Sequence, residues 1–263
     1  MTAFFTESAV AARLRAAGCV FAEDEARLIL DTAATPDDVS AMVERRAAGL
    51  PLEHVLGWAE FRGLRVAVDP GVFVPRRRTE FLVQRAAALA PPRPVVVDLC
   101  CGSGALGAAL AAELPDHGGF ELHAADIDPA AVCCARRNVA PFGGRVHEGD
   151  LFDPLPGDLR GRVGVLLANV PYVPADEIAL LPAEARLHEA RVALDGGGDG
   201  LDVLRRVTSE AAAWLAPGGW LLFETSERQV PDAVAAVERG RLAATVETSE
   251  EFHATVIIGN KSV

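Results

Sequence analysis

The chain has 263 residues, of which 50% are hydrophobic and 24% charged, with a formal net charge of −12. That length suits one large domain or a medium domain with a small satellite, and the apolar share can build a sizeable core. The acidity argues against direct nucleic-acid binding over a broad surface, which depends on Lys and Arg displacing counterions, although arginines cluster in "RRAAGL" and "PRRRTE".

Residues 1–55 read as short amphipathic helices. "TESAVAARLRAAG" has Thr6 as N-cap and Gly18 as stop, "EDEARLILDTA" is a second helix, and "TPDDVSAMVERRAAG" is a third. In the third, Thr35 caps, Pro36 takes the first helical position, and Gly49 follows the last turn. Such a thin bundle is too small to be strongly stable alone, so it should dock on the rest of the chain or on a partner. In residues 56–78 the period changes to two, and "WAEFRGLRVAVDPGVFVP" reads as a connector of short antiparallel strands with turns at Gly63 and "DPG".

Residues 79–263 form the main unit. It opens on the helix "TEFLVQRAAALA", ended by "PPRP", and then alternates strand, turn and helix. "VVVDLCCGSGALGAALAAEL" and "FELHAADIDPAAVCCARRNV" are strand–helix pairs, and "RVHEGDLFD" and "VGVLLANVPYVP" are further strands. "GLDVLRRVTSEAAAWLAPGG" is a helix with a Pro-Gly-Gly stop; "WLLFETS", "LAATVETS" and "HATVIIG" close the sheet. This alternation predicts a mostly parallel α/β sheet covered on both faces, with ligands beyond the carboxyl ends of its strands.

No basic-then-apolar leader opens the sequence and no apolar run is long enough to span a bilayer, which predicts a cytoplasmic protein off the membrane. The cysteines are Cys19 and the adjacent pairs Cys100–Cys101 and Cys133–Cys134, a spacing unlike a zinc knuckle or a redox CxxC. Free thiols and no metal are expected.

Two features carry chemistry. The first is "DLCCGSG", Asp98 to Gly104, a Gly-rich strand-to-helix turn in which Gly102 and Gly104 allow close backbone approach. It lacks the G-x-G-x-x-G spacing of a dinucleotide site. Asp126 ends the next strand, where an acid can accept from both ribose hydroxyls, and Asp128 caps the following helix. Acids at both places would repel a pyrophosphate but suit a ligand with a cationic amino-acid end and a neutral ribose, as in S-adenosylmethionine. The second is "NVPY". Asn169 ends a strand too apolar to be anything but central, and Pro171 holds Val170 extended with its carbonyl turned outward beside Tyr172. Two fixed acceptors, Asn169 Oδ1 and the Val170 carbonyl, would orient a flat NH2 group for attack. A plain turn-capping asparagine with tyrosine as core filling is the other reading.

"VVVDLCCGSGALGAALA" resembles the first motif of class I S-adenosylmethionine-dependent methyltransferases, with Cys100 standing where that family usually has its first glycine. The resemblance implies a Rossmann-like, mostly parallel seven-stranded sheet. It implies that Asp98, Cys100, Cys101, Gly102, Ser103, Gly104 and Ile127 border the cofactor, that Asp126 lies at its ribose, and that Asp150 and Leu151 of "EGDLFD" lie at its adenine. "NVPY" resembles the (N/D)PPY motif, so Asn169, Val170, Pro171 and Tyr172 are implied to be catalytic, with Asn169 also beside the cofactor. Two branches carry that motif: adenine-N6 methyltransferases and HemK-type protein-(glutamine-N5) methyltransferases. The second resembles nearly the whole chain, through "PLEHVLGWAEFRGLRVAVDPGVFVPR", "LHEARVALDGGGDGLDVLRRV" and "PGGWLLFETSERQ". It implies a protein partner, a peptide chain release factor, gripped by the helical domain. The family's "PRPETE" is here "PRRRTE" and its first motif proline is Val170, which keeps open a paralogue acting on another protein or a small molecule. A cofactor-binding protein without catalysis is the third alternative.

Overall fold

Residues 95–99, Val-Val-Val-Asp-Leu, form a strand buried at every position, which β-branched residues favour in a parallel sheet covered on both faces. The computed structural model describes residues 6–114 and 119–263; the first five residues of the expected helical region lie outside them. That region holds α1 (Glu7–Ala16), α2 (Ala22–Thr32), α3 (Pro36–Ala47) and α4 (Leu52–Leu56). Thr6 caps α1, and Thr35 forms a reciprocal capping box with Asp38 on α3. The short helix α4 is one the sequence reading did not single out, and Gly57 ends it with φ +81°. These helices share a core of their own around Val10, Leu14, Ala26, Ile29, Val43 and Leu56.

Strands β1 (Trp58–Phe61) and β2 (Leu64–Ala67) make a two-stranded antiparallel hairpin. Pairing stops at Ala67. The expected strand character of residues 68–75 fails because that stretch is held by other means: Asn138 donates from Nδ2 to the Ala67 carbonyl (2.8 Å) and accepts from the Ala67 amide (2.9 Å). One ring nitrogen of His54 bonds the Val72 carbonyl at 2.8 Å.

The main unit runs α5 (Glu80–Leu89), β3 (Val95–Leu99), α6 (Ala105–Glu113), β4 (Glu121–Asp126), α7 (Pro129–Val139), β5 (Arg145–Glu148), β6 (Val163–Ala168), α8 (Ala183–His188), α9 (Asp202–Trp214), β7 (Leu215–Thr225), α10 (Val230–Arg239), β8 (Ala243–Ser249) and β9 (Ala254–Asn260). The sheet order is β5-β4-β3-β6-β7-β9-β8, with β9 antiparallel to both neighbours and every other pairing parallel. The expected seven-stranded, mostly parallel α/β sheet is therefore present. Two boundaries differ. Strand β5 ends at Glu148, because Gly149 (φ +155°) and Leu151 (φ +47°) turn the chain. The "APGG" segment lies inside β7 as a bulge: Val163 pairs Leu215, whereas Val165 pairs Trp220. A Cβ at Gly219 would stand 2.7 Å from the Val163 carbonyl, so glycine there permits the bulge.

The N-terminal helices are tied down by an ion pair. Arg46 on α3 donates from Nε and Nη2 to Glu25 at 2.7 and 2.9 Å, and both side chains are about nine-tenths covered. Its Nη1 reaches Glu184 on α8 at 2.5 Å. Breaking a buried pair strands one charge. Arg46→Ala should therefore lower stability by about 3 kcal/mol, read as a fall in the denaturant midpoint. Arg46→Lys should recover only part of the loss, because an ammonium cannot reproduce the forked contact.

Candidate active site

The carboxyl ends of β3, β4 and β6 open onto a cavity of about 410 Å³. Its floor is the Gly-rich turn. Cys100, Gly102 and Gly104 all take left-handed backbone angles, with φ +52°, +54° and +76°. Cys100 thus keeps the conformation a glycine would adopt freely, at a cost of order 1–2 kcal/mol for a residue with a Cβ. A Cβ at Gly102 would meet nothing closer than Phe73 Cβ at 3.9 Å, so its glycine leaves space on the cavity side. Cys100, Cys101, Gly102 and Ser103 all line the cavity.

Asp98 and Gly104, expected to touch the cofactor, do not line it. A Cβ at Gly104 would approach Ala135 and Val139 at 3.1 Å, so its small size serves the packing of α6 on α7. Asp98 is fully buried behind the turn, where Oδ2 accepts the Gly107 amide at 2.9 Å and Oδ1 has no partner. Burial pushes its carboxyl up to about 8.

Asp126 lines the cavity and braces the turn. Its Oδ2 accepts the Gly102 amide at 2.8 Å and its Oδ1 the Asp128 amide at 2.9 Å, leaving one lone pair on each oxygen. Asp128 caps α7 by accepting the Ala130 amide. Ile127, Asp150 and Leu151 complete this end, and Asp150 pairs with Arg206 of α9 at 2.7 Å. Burial together with Asp126, Asp98 and Asp150 pushes the Cys100 thiol well up, so it stays neutral and the surroundings are electronegative.

At the other end β6 stops at Ala168 and Asn169, Val170, Pro171 and Tyr172 all line the cavity. Among the described residues neither the Asn169 carboxamide nor the Val170 carbonyl has a hydrogen-bond partner. The carboxamide is not spent on its own turn. Tyr172 is fixed twice: its carbonyl accepts Gln229 Nε2 at 2.9 Å, and its phenol donates to Glu224 Oε1 at 2.9 Å.

The sequence reading marked the arginine run of "PRRRTE" but missed the buried glutamates that hold it along the remaining wall. Arg76 grips the buried Glu189 with two bonds of 2.6 and 2.7 Å, and Glu189 Oε1 also accepts the Val74 amide at 3.2 Å. Arg78 pairs with Glu224 at 2.6 Å, and Thr79 donates to the other oxygen of Glu224 at 2.8 Å. The available signal was a glutamate inside the apolar run "WLLFET", where an acid needs a partner.

The donor set fits S-adenosylmethionine. Carboxylates of Asp126 and Asp150 line the cavity beside a turn whose backbone a ligand can approach closely. That setting favours a cation over a pyrophosphate. The protonation of Asp98 has a consequence for stability. The native state holds a proton that the unfolded chain, with a carboxyl near 4, releases, so stability should fall between about pH 4 and pH 8. Urea titrations should show a slope approaching ~1.4 kcal/mol per pH unit in that window, which Asp98→Asn flattens.

Residues 63–211 match the model of the methyltransferase small domain. The release factor glutamine methyltransferase of Geobacter sulfurreducens is 40% identical over 199 residues, 74% of this chain and 68% of that protein. The protein of the same name from Gloeobacter violaceus is 38% identical over 225 residues, 82% of this chain and 76% of that one. Among solved structures, a methyltransferase from Pyrococcus furiosus superposes with a TM-score of 0.57 at 15% identity, covering 85% of this chain and 98% of that one, which supports the same fold. On the strength of its relatives, the chain belongs to the release factor glutamine methyltransferase family.

Proposed function

We propose that this protein transfers a methyl group from S-adenosylmethionine to the side-chain nitrogen of a glutamine in a peptide chain release factor. The observation that carries the reading is the pair of unspent acceptors, Asn169 Oδ1 and the Val170 carbonyl, on one cavity with the Gly-rich turn. S-adenosylmethionine supplies an electrophilic methyl on a sulfonium. The chain supplies alignment. A carboxamide nitrogen is a poor nucleophile because its lone pair is delocalised into the carbonyl. Accepting both of its N–H bonds holds the lone pair toward the methyl carbon, and these contacts strengthen as positive charge develops on nitrogen. Tyr172 closes one face of the glutamine slot. Asp126 would hold the ribose through its two remaining lone pairs, Asp150 and Leu151 would lie beside the adenine, and Ile127 would border the cofactor. Cys100 to Ser103 pass beside the amino-acid end.

Residues 1–55 serve as the part that grips the protein substrate, residues 56–78 as the connector, and residues 79–263 as the methyltransferase domain. A protein substrate fits the net charge of −12 better than a nucleic acid does, and a cytoplasmic location accords with a translation factor as target. Among the described residues no helix is long and apolar enough to cross a membrane.

The direct test is incubation with a release factor and mass spectrometry of the tryptic peptides, which should reveal one methyl group on a glutamine. No methylation of release factor, alongside transfer to an adenine-bearing oligonucleotide, would overturn the assignment. Asn169→Ala should lower kcat at least a hundredfold while the dissociation constant of S-adenosylmethionine stays within about tenfold. Asp126→Ala should do the reverse, raising that constant at least tenfold by calorimetry, with kcat at saturation little changed.

A further inference from the structure

Arg78 of "PRRRTE" and Glu224 of "WLLFETS" were given no role above, yet both end at the phenol of Tyr172. Arg78 donates from Nη2 to the phenol oxygen at 2.5 Å and from Nε to Glu224 Oε1 at 2.6 Å. The phenol donates to that same Glu224 oxygen at 2.9 Å, closing a three-membered ring of hydrogen bonds. Thr79 fills the second oxygen of Glu224, which is 3% exposed and has no solvent to fall back on. Arg78 lies at the cavity edge, half exposed, with its guanidinium carbon 5.9 Å from the centre of the tyrosine ring. The ring therefore stands where two charged groups hold it by its phenol oxygen.

We propose that Arg78 and Glu224 are positioning residues for methyl transfer: together they clamp the phenol of Tyr172 and so set the aromatic wall of the glutamine slot. This rests on the function proposed above. The arginine at 78, in place of the family's usual acid, gives this chain a clamp built from opposite charges.

Tyr172 is the only tyrosine in the sequence, so its ionisation can be read by ultraviolet absorbance without any substrate. Burial and the Glu224 carboxylate push the phenol up, and Arg78 opposes them. In the clamp, Glu224→Gln should shift the phenol's titration to lower pH and Arg78→Ala to higher pH. On the wild-type enzyme with release factor, Arg78→Ala should lower kcat about tenfold and leave S-adenosylmethionine affinity within twofold. In a Tyr172→Phe background the same substitution should change kcat by less than twofold, because the group through which it acts is gone. Arg78→Ala removes a half-exposed side chain, so it keeps the test available if Glu224→Gln fails to fold by circular dichroism. Effects of Arg78→Ala and Tyr172→Phe that multiply, or a tyrosine titration unmoved by loss of Arg78, would overturn the clamp. A wild-type enzyme inert toward release factor would instead overturn the substrate assignment, with the absorbance titration still deciding the clamp.

Discussion

The site depends on the register between β3 and β6. Asp98 stands beside Leu167 and Leu99 beside Ala168, so the two central strands finish level. From that shared edge one chain turns left-handed at Cys100 and the other runs into Asn169. A slip of one residue would take the carboxamide from its place and put Ala168 or Val170 there, since side chains alternate between faces. Every residue of both strands is covered, as expected of central strands with helices on both faces. Pro171 then ends the matter: it has no N–H to donate, so the ladder cannot continue and the Val170 carbonyl keeps its lone pairs for something else.

Around this edge, buried glutamates act as fixed points for arginines. Glu25 holds Arg46, Glu189 holds Arg76, and Glu224 holds Arg78. Each pair joins segments distant in sequence, and the desolvation cost makes such pairs poor sources of net stability. Their value here is geometric. Glu189 takes the Val74 amide as well as Arg76, and the Gly71 carbonyl accepts the Ala190 amide at 2.9 Å, so residues 71–76 are sewn to the segment after α8. Arg46 carries the same seam on to Glu184 and hence to the N-terminal helices. The two halves of the chain meet along the cavity wall through these bonds.

Much of this was legible because it is local. Val95 to Gly104 announces a buried strand and a tight turn, Thr35 with Pro36 a helix start, and Asn169 to Tyr172 a strand forbidden to continue; each signal lies within a few residues. The differences have specific causes. Asp98 stands in the turn, but a strand residue alternates faces, and the space left by Gly107 lets its carboxyl group settle on the α6 amide, away from the cavity lining. "APGG" looks like a helix stop, and the bulge in β7 becomes evident only once β6 lies alongside. Glu224 shows itself only as an acid in an apolar run, and the arginines that hold it and Glu189 lie more than a hundred residues away in sequence.

The position of Glu224 also explains a use for the single antiparallel strand. The last recorded pair between β6 and β7 is Leu167 with Leu222, so Phe223, Glu224 and Thr225 run on past that neighbour. Unsupported, such an end would fray. Strand β9 pairs with all three, Ile257 opposite Phe223, Val256 opposite Glu224 and Thr255 opposite Thr225. Alternation does the rest. Phe223 packs into the core on the α9 and α10 side, and Leu222 packs with α5 and α6 on the other, so Glu224 also faces α5. Arg78 and Thr79 stand at the start of that helix. The antiparallel strand thus fixes a carboxylate beyond the end of β6, on the face where the arginine waits, and the tyrosine after Pro171 is held between them.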